Sequence, residues 1–394
     1  MPPEAFPAGT ALVGGAVRDA LLNRLGAQPD LDLVLPGDAL ALCRQLQRRY
    51  GGSTVVLDAE RSIARLVRKG WSLDLARQEG GSLEADLLRR DYTINAMALP
   101  LAEPHRLVDP LAGASHLAAG QLVAVSEANL LADPLRLLRG LRLASELGFA
   151  LEPQTRGWIL EHHQRLGQVA GERVLAELEK LARAPRGHEG LVDVAACGLL
   201  DPWRPGPAAQ ASLQQLHANQ VQALDLNAAE ADQALPLARL AAVLDGATLQ
   251  RLRSSNRLQQ RVERLRHWQA QLGDADPAAA ADTLPEAARL QLHRQLEEDL
   301  PALLLHWPPQ PARTWLQRWR DPMDPLFHPR AAIDGNSLQR ELQLQASPEL
   351  GALLEHLMLE QAFGRLQGRS DALQAARLWL QSSRNDGRKA PCCD

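Results

Sequence analysis

Over the first 125 residues, short apolar runs alternate with amphipathic stretches. The runs Ala11–Val13, Leu31–Leu35, Thr54–Leu57, Ile63–Val67 and Trp71–Ala76 read as strands, and the spacing of apolar positions around them predicts helices over Ala16–Arg24, Asp38–Tyr50 and Tyr92–Leu99. From about Asp133 the pattern is helical almost throughout. It runs in leucine- and alanine-rich segments interrupted at Pro153, Pro185, Asp201–Pro207, Asp274–Pro277 and Pro308–Pro311. A small mixed α/β half followed by an all-α array is thus expected, an α+β class with no fixed-period repeat.

Length sharpens this picture, because 394 residues exceed the ~250–300 that one hydrophobic core supports. Two or three domains are expected. The chain is 45% hydrophobic and 23% charged, which suits a soluble globular protein. No apolar run approaches the ~18–20 residues of a membrane helix, and the start MPPEAFPAGT lacks a basic segment followed by an apolar one. These features predict a cytoplasmic protein with no membrane partner. Net charge is −4, so any phosphate-binding surface must be a local arrangement. Lysine occurs only at Lys69, Lys180 and Lys389, so nearly all of the 43 basic residues are arginine, a bias that genomic base composition also produces. Cys43, Cys197, Cys392 and Cys393 form neither a disulfide framework nor zinc-ligand spacing, which suggests a reducing compartment.

Candidate chemistry begins at Leu12–Asp19, where Gly14 and Gly15 join a strand to a helix. Such a turn lets backbone approach a ligand, and the free N–H groups of a helix start favour phosphate. By itself it serves structure as readily as binding. Asp30 and Asp32 open the run Leu31–Leu35, and the two-residue period of a strand aims both at one face. Paired like charges are tolerated around a divalent cation, and Mg²⁺ takes one or two carboxylates together with substrate phosphates. Asp74, on a later strand, could complete the set. Arg89 and Arg90 precede an expected helix start, with Asp91 and Thr93 suited to its cap and Asn95 one turn in. A further helix is expected with Asp133 as its cap and Pro134 at its first position. On it Arg136, Arg139 and Arg142 share a face with no acid among them, so this face either binds an anion or has partners elsewhere.

Taken in order, these segments resemble the tRNA nucleotidyltransferase and bacterial poly(A) polymerase family, class II of the polymerase-β-type nucleotidyltransferases. The likeness runs through Gly14–Asp19, Asp30–Asp32, Arg89–Ala96, Asp109–Gly113, Asp133–Leu143 and Glu172–Leu178 to Asp334–Leu338 and Pro348–Leu354. It implies a nucleotidyltransferase head over 1–125, a helical neck over 126–200 that recognises the base, and a helical body and tail over 201–394 that bind RNA. Asp30 and Asp32 would hold two Mg²⁺ ions. Gly14, Gly15, Arg18, Arg90 and Asn95 would bind phosphates and ribose, Asp133 and Arg136 would face the base, and Arg139 and Arg142 would add nucleotide contacts. Asp109 and Gly113 are implied as a hinge. The implied reaction adds CMP or AMP from CTP or ATP to the 3′ end of tRNA, held by its acceptor stem.

Asp133 only accepts hydrogen bonds and Arg136 only donates them. Cytosine and adenine each present an amino donor beside a ring acceptor, whereas guanine and uracil present the reverse. The pair therefore suits CTP and ATP. Ala132, His116 and Leu143 depart from the family pattern. So does Arg77–Leu83, far shorter than the flexible loop of many relatives. In the family that loop is implicated in the switch from C to A addition, so its shortness implies CC addition with a separate A-adding enzyme completing the end. Full CCA addition stays open, as do a poly(A) polymerase and a catalytically inactive RNA-binding homologue.

Overall fold

The computed structural model describes residues 1–203 and 210–386. Residues 204–207 of the expected Asp201–Pro207 break, and Cys392 and Cys393, lie outside the described residues. The chain divides into two compact units, Met1–Pro207 and Ala208–Asp394, and the segments 1–125 and 126–200 both fall in the first.

The first unit opens with strand β1 (Ala11–Val13) and helix α1 (Gly15–Leu21), followed by β2 (Leu31–Leu35) and α2 (Ala39–Tyr50). Strands β3 (Ser53–Asp58), β4 (Ile63–Arg68) and β5 (Trp71–Arg77) come next, then α3 (Leu83–Leu87) and β6 (Ala98–Pro100). The sheet order is β3-β4-β5-β2-β1-β6. β2 and β5 run parallel, and the other neighbours are antiparallel. One face carries Leu33, Leu35, Ala64, Leu66, Leu73 and Leu75, which pack against Leu42, Cys43 and Leu46 of α2. The Asp38 carboxylate caps that helix by accepting from the N–H groups of Leu40 (2.9 Å) and Ala41 (3.2 Å). On the other face only the β1 and β6 end is covered, by a core of Ala11, Val13, Val34, Leu87, Ala96 and Ala98.

The helix expected over Tyr92–Leu99 does not form. One 3-10 turn, Thr93–Asn95, leads instead into β6, where Ala98 pairs with Val13 on one side and bridges Val108 on the other. Tyr92, Ile94, Ala96, Met97 and Ala98 are all fully buried, so the segment has no solvent face for a surface helix. Its backbone satisfies the otherwise open edge of β1.

Helices α4 (Gly113–Ala118), α5 (Glu127–Ala132) and α6 (Leu135–Leu147) follow, with a short parallel pair β7 (Gln121–Leu122) and β8 (Ala150–Leu151) that the helical pattern did not signal. Then come α7 (Pro153–His162), α8 (Gly171–Arg183) and α9 (Gly187–Ala196). Pro153, expected only as an interruption of the helical segments, is the first residue of α7. Helix α6 packs on α8 and α9, and at its centre Gly140 lies against Tyr92, where a Cβ would overlap the phenol hydroxyl.

The described part of the second unit is helical. Its helix Ala228–Val243 starts with a reciprocal Asn227–Glu230 capping box and contains Pro236. An aromatic cluster joins Trp307 to Trp315 (centroids 4.9 Å apart) and Phe327 to His293 (4.1 Å). Burial pushes the His293 imidazole down to about 3, so it packs as a neutral ring. A separate core of Ile333, Leu338, Leu350, Leu353, Leu357, Ala372, Ala376 and Leu380 holds the last helices together.

Gly140→Ala is expected to destabilise the protein by about 1–3 kcal/mol, the usual cost of overpacking. Urea denaturation of the variant checks this, and Tyr92→Phe in the same background should recover part of the loss.

Candidate active site

Val13, the last residue of β1, lies opposite Asp32 of β2. The next residue, Gly14, has φ +75°, which favours glycine. A Cβ there would stand 3.4 Å from Asp32 Oδ2 and 3.3 Å from Arg90 Nη1. The missing side chain therefore leaves a space bracketed by a carboxylate and a guanidinium. Gly15 opens α1, and Arg18 on that helix is buried. Its guanidinium donates to both Asp19 oxygens (2.9 and 3.1 Å) and to Asn95 Oδ1 (2.9 Å). Arg18 and Asn95, 77 residues apart in sequence, are thus brought together.

Asp30 is exposed just before β2, and Asp32 lies within it. The parallel pairing of β2 with β5 sets Asp32 beside Asp74. Asp74 accepts from Arg65 Nε (2.6 Å) and Nη2 (2.8 Å). The Asp32 pKa is raised, first by burial and then by the charges of Asp74 and Asp30, against the pull of Arg90 and Arg65. Its carboxylate has no hydrogen bond or ion pair among the described residues. An ionised group held so close to its like, with no donor, fits a divalent cation as the missing partner. The three aspartates do not converge as a ligand set. Among the described residues, the group whose ligand atoms lie within 4.8 Å of one another is Glu127, Glu161 and His162, where His162 Nε2 and Glu127 Oε1 (2.5 Å) join α7 to α5.

Residues 89–92 link the sheet to α6. Arg90 Nη2 donates to Asp86 (3.1 Å), and the Arg90 carbonyl accepts from Asn129 Nδ2 (2.7 Å). Buried Asp91 accepts from the Tyr92 N–H (2.8 Å) and Asn95 Nδ2 (3.2 Å), and pairs through Oδ2 with Arg139 (2.9 Å). Burial alone would raise the Asp91 pKa, yet Arg139, Asn95 and the Tyr92 N–H hold it below its ordinary value. The Tyr92 hydroxyl donates to the Arg136 carbonyl at 2.8 Å.

The arginine face of α6 has partners elsewhere and is not free of acids. Arg142 pairs with Glu146 one turn on (2.5 Å) and with Glu177 of α8 (2.7 Å), and Arg139 is held by Asp91. Asp133, expected as the N-cap of α6 with Pro134 at its first position, is instead the C-cap of α5, and Pro134 is the N-cap of α6, which begins at Leu135. Its Oδ1 still accepts from the Leu135 N–H (3.2 Å), while Oδ2 pairs with Arg173 of α8 (2.8 Å). Arg136 Nη1 donates to the carbonyls of Arg89 (3.0 Å) and Asn129 (2.9 Å). Burial first, and then neighbouring Arg139, lowers its pKa against the pull of Asp91 and Asp133. Asp109 accepts from the N–H groups of Gly113 (2.7 Å) and Ala114 (2.9 Å), capping α4, and His116 Nδ1 meets Thr93 Oγ1 at 2.9 Å.

The short Arg77–Leu83 segment is tied at both ends. The Gln78 N–H donates to the Leu35 carbonyl (2.8 Å), Gln78 Nε2 to the Gly9 carbonyl (3.0 Å), and the Glu79 N–H to Asp86 (3.1 Å). Glu79 also pairs with Arg89 at 2.7 Å, and Ser82 caps α3.

Sequence reasoning had given no role to Arg65, Asn129 or Arg173. Only Arg173 carried a signal, since it lies in the Glu172–Leu178 segment already singled out.

The structure thus brings a glycine turn and a buried arginine beside crowded strand carboxylates on a small mixed sheet. The family model described as the poly A polymerase head domain matches residues 72–123, and that described as the probable RNA and SrmB-binding site of polymerase A matches residues 148–210. The CC-adding tRNA nucleotidyltransferase of Synechocystis sp. is 34% identical over 407 residues, covering 95% of this chain and 94% of that protein. The A-adding tRNA nucleotidyltransferase of Deinococcus radiodurans is 43% identical over 206 residues, 51% of this chain and 46% of that one. Among solved structures, the Thermotoga maritima CCA-adding enzyme complexed with tRNA shares the fold with a TM-score of 0.69 at 21% identity, over 94% of this chain and 91% of that one. This chain belongs to the tRNA nucleotidyltransferase family.

An acid whose folded pKa lies above its unfolded value penalises the folded state once both are ionised, and not when both are protonated. Asp32→Asn is therefore expected to raise Tm at pH 7, with the gain shrinking as pH falls through the raised pKa toward the ordinary carboxylate range. Thermal melts of both proteins across pH, without added metal, check it.

Proposed function

We propose that this protein adds CMP from CTP to the 3′ end of tRNA, making the CC of the CCA end, and leaves the final A to a separate enzyme. The observation that carries the reaction is Asp32, half-buried and without a donor beside Asp74, facing the space over Gly14 that Arg90 borders. Asp30 and Asp32 would hold two Mg²⁺ ions, which when bound acidify the primer hydroxyl and stabilise charge on the transferring phosphate. Arg90 and Arg18 offer the triphosphate its cations, and Asn95 orients Arg18. Asp74, neutralised by Arg65, stays outside the metal set. Asp91 fixes Arg139 and the backbone that Arg136 grips, so Arg139 and Arg142 act through the position of α6 and not by touching the nucleotide.

Asp133 and Arg136 read the base. Arg173 holds the Asp133 carboxylate in place, leaving the acceptor that cytosine and adenine require. In this reading residues 1–125 carry catalysis, 126–200 base recognition and 201–394 the hold on the tRNA acceptor stem. CC addition is supported by the tethered Arg77–Leu83 segment and by the CC-adding relative that matches along the whole chain. ATP remains a competent binder, since adenine satisfies the same pair. No helix among the described residues is long and apolar enough to cross a membrane.

Purified protein given tRNA that ends at the discriminator base, with CTP and ATP together, should yield a product ending in CC. A terminal A added at a rate comparable to C would sink the CC-only reading. Asp32→Asn should lower the addition rate by about a hundredfold or more in Mg²⁺, through loss of transition-state charge stabilisation. Asp133→Ala and Arg136→Ala should both slow CTP use and raise the relative use of UTP or GTP, read by competition between labelled nucleotides.

A further inference from the structure

In-line transfer puts the attacking 3′-hydroxyl opposite the departing pyrophosphate. The groups suited to the triphosphate, Gly14, Arg18 and Arg90, lie on the β1 side of Asp32. The RNA end must then come from the other side, over β5, β4 and β3. Across those strands the register runs Asp32, Asp74, Arg65, Val55, all directly paired and so on one face. Val67, two residues beyond Arg65, shares it. The opposite face of β4 and β5 is packed by α2, and the core that covers the β1 end of this face reaches Ala76 of β5 but no residue of β4 or β3.

Here the surface departs from a solvated sheet. Val55 is 50% and Val67 39% exposed, beside an Arg65 side chain that is 41% exposed. Arg65 gives Nε and Nη2 to Asp74, and its Nη1 donates no hydrogen bond among the described residues. It is the cation that the strand register places directly beside Asp74 on this face. Open apolar surface next to an arginine with a spare donor suits single-stranded RNA, whose bases offer apolar faces and whose backbone offers phosphate.

Building on the reaction argued above, we propose that Val55, Arg65 and Val67 form the docking strip for the single-stranded 3′ end of the RNA primer. Arg65 Nη1 donates to a backbone phosphate, the two valines carry the ribose and base faces of the terminal nucleotides, and the Asp74 fork keeps the guanidinium in place. Arg65 is thus a primer-binding residue, and Asp74 positions it.

The test is steady-state CTP addition to tRNA lacking its CCA end, for wild type, Arg65→Gln and the double variant Val55→Ser/Val67→Ser, with melting curves to confirm folding. KM for tRNA should rise about tenfold in Arg65→Gln, the loss of one charge-assisted hydrogen bond, and several-fold in the double variant. KM for CTP, and CTP affinity measured by calorimetry without RNA, should stay within about twofold. An unchanged tRNA KM overturns the proposal, as does a parallel rise in KM for CTP. So does self-association of wild type, by light scattering, that the valine variant abolishes while its tRNA KM stays put, since the strip would then cover a second copy. If wild type adds no nucleotide, the reaction fails and the strip is still decided by filter binding of tRNA to wild type and both variants.

Discussion

Asp32 carries its charge into a half-buried position beside a second aspartate, and the parallel pairing of β2 with β5 leaves it no way to move apart. Repulsion between groups at this distance is felt strongly because little water screens it. The surroundings divide the charges. Asp74 is neutralised by Arg65, Asp30 stays in solvent, and Asp32 keeps an unmatched charge next to the open space over Gly14.

The second organising charge is Asp91, which is buried and satisfied. It joins Asn95, and through it Arg18, to Arg139 on α6, while Tyr92 inserts against Gly140 and bonds the Arg136 carbonyl. Two residues of one segment therefore set the distance from the phosphate-side arginines to the residues that would read the base. Removing Arg139 would leave the buried Asp91 charge short of its cation, so the link is costly to break. Arg142, held between Glu146 and Glu177, extends the link to α8, which in turn carries Arg173 to Asp133.

Much of this was visible in the chain before its fold. The strands around Asp32 and Asp74 are written as runs of alternating or continuous apolar residues, and their observed bounds differ from those expected by no more than a residue at either end. Asp30 and Asp32, Gly14 and the arginine pair at Arg89 and Arg90 stood out by their order along the chain, since each alone is common in turns or on solvated surfaces. Tyr92–Leu99 misled because buried apolar residues satisfy a helix period and a buried strand equally well. Helix α6 misled in another way. Its arginines recur as an open basic face would, while the acids that pair with two of them lie at Asp91 and Glu177, distant in sequence, and at Glu146, which stands one turn past Arg142 and was legible at that spacing.

What the sequence determined by itself is therefore local. It set the identity of the strands, the turn that only glycine tolerates, the two-residue spacing of Asp30 and Asp32, and the helical character of most described residues after Asp133, because each follows from neighbours within a few positions along the chain. Only the tertiary structure decided which charges are spent on one another and which are left for a ligand. Arg65 to Asp74, Arg139 to Asp91, Arg173 to Asp133 and Arg18 to Asn95 are pairings across strands and helices. Such pairings depend on register and helix packing, and a side chain carries no mark of the partner that a distant segment will bring to it.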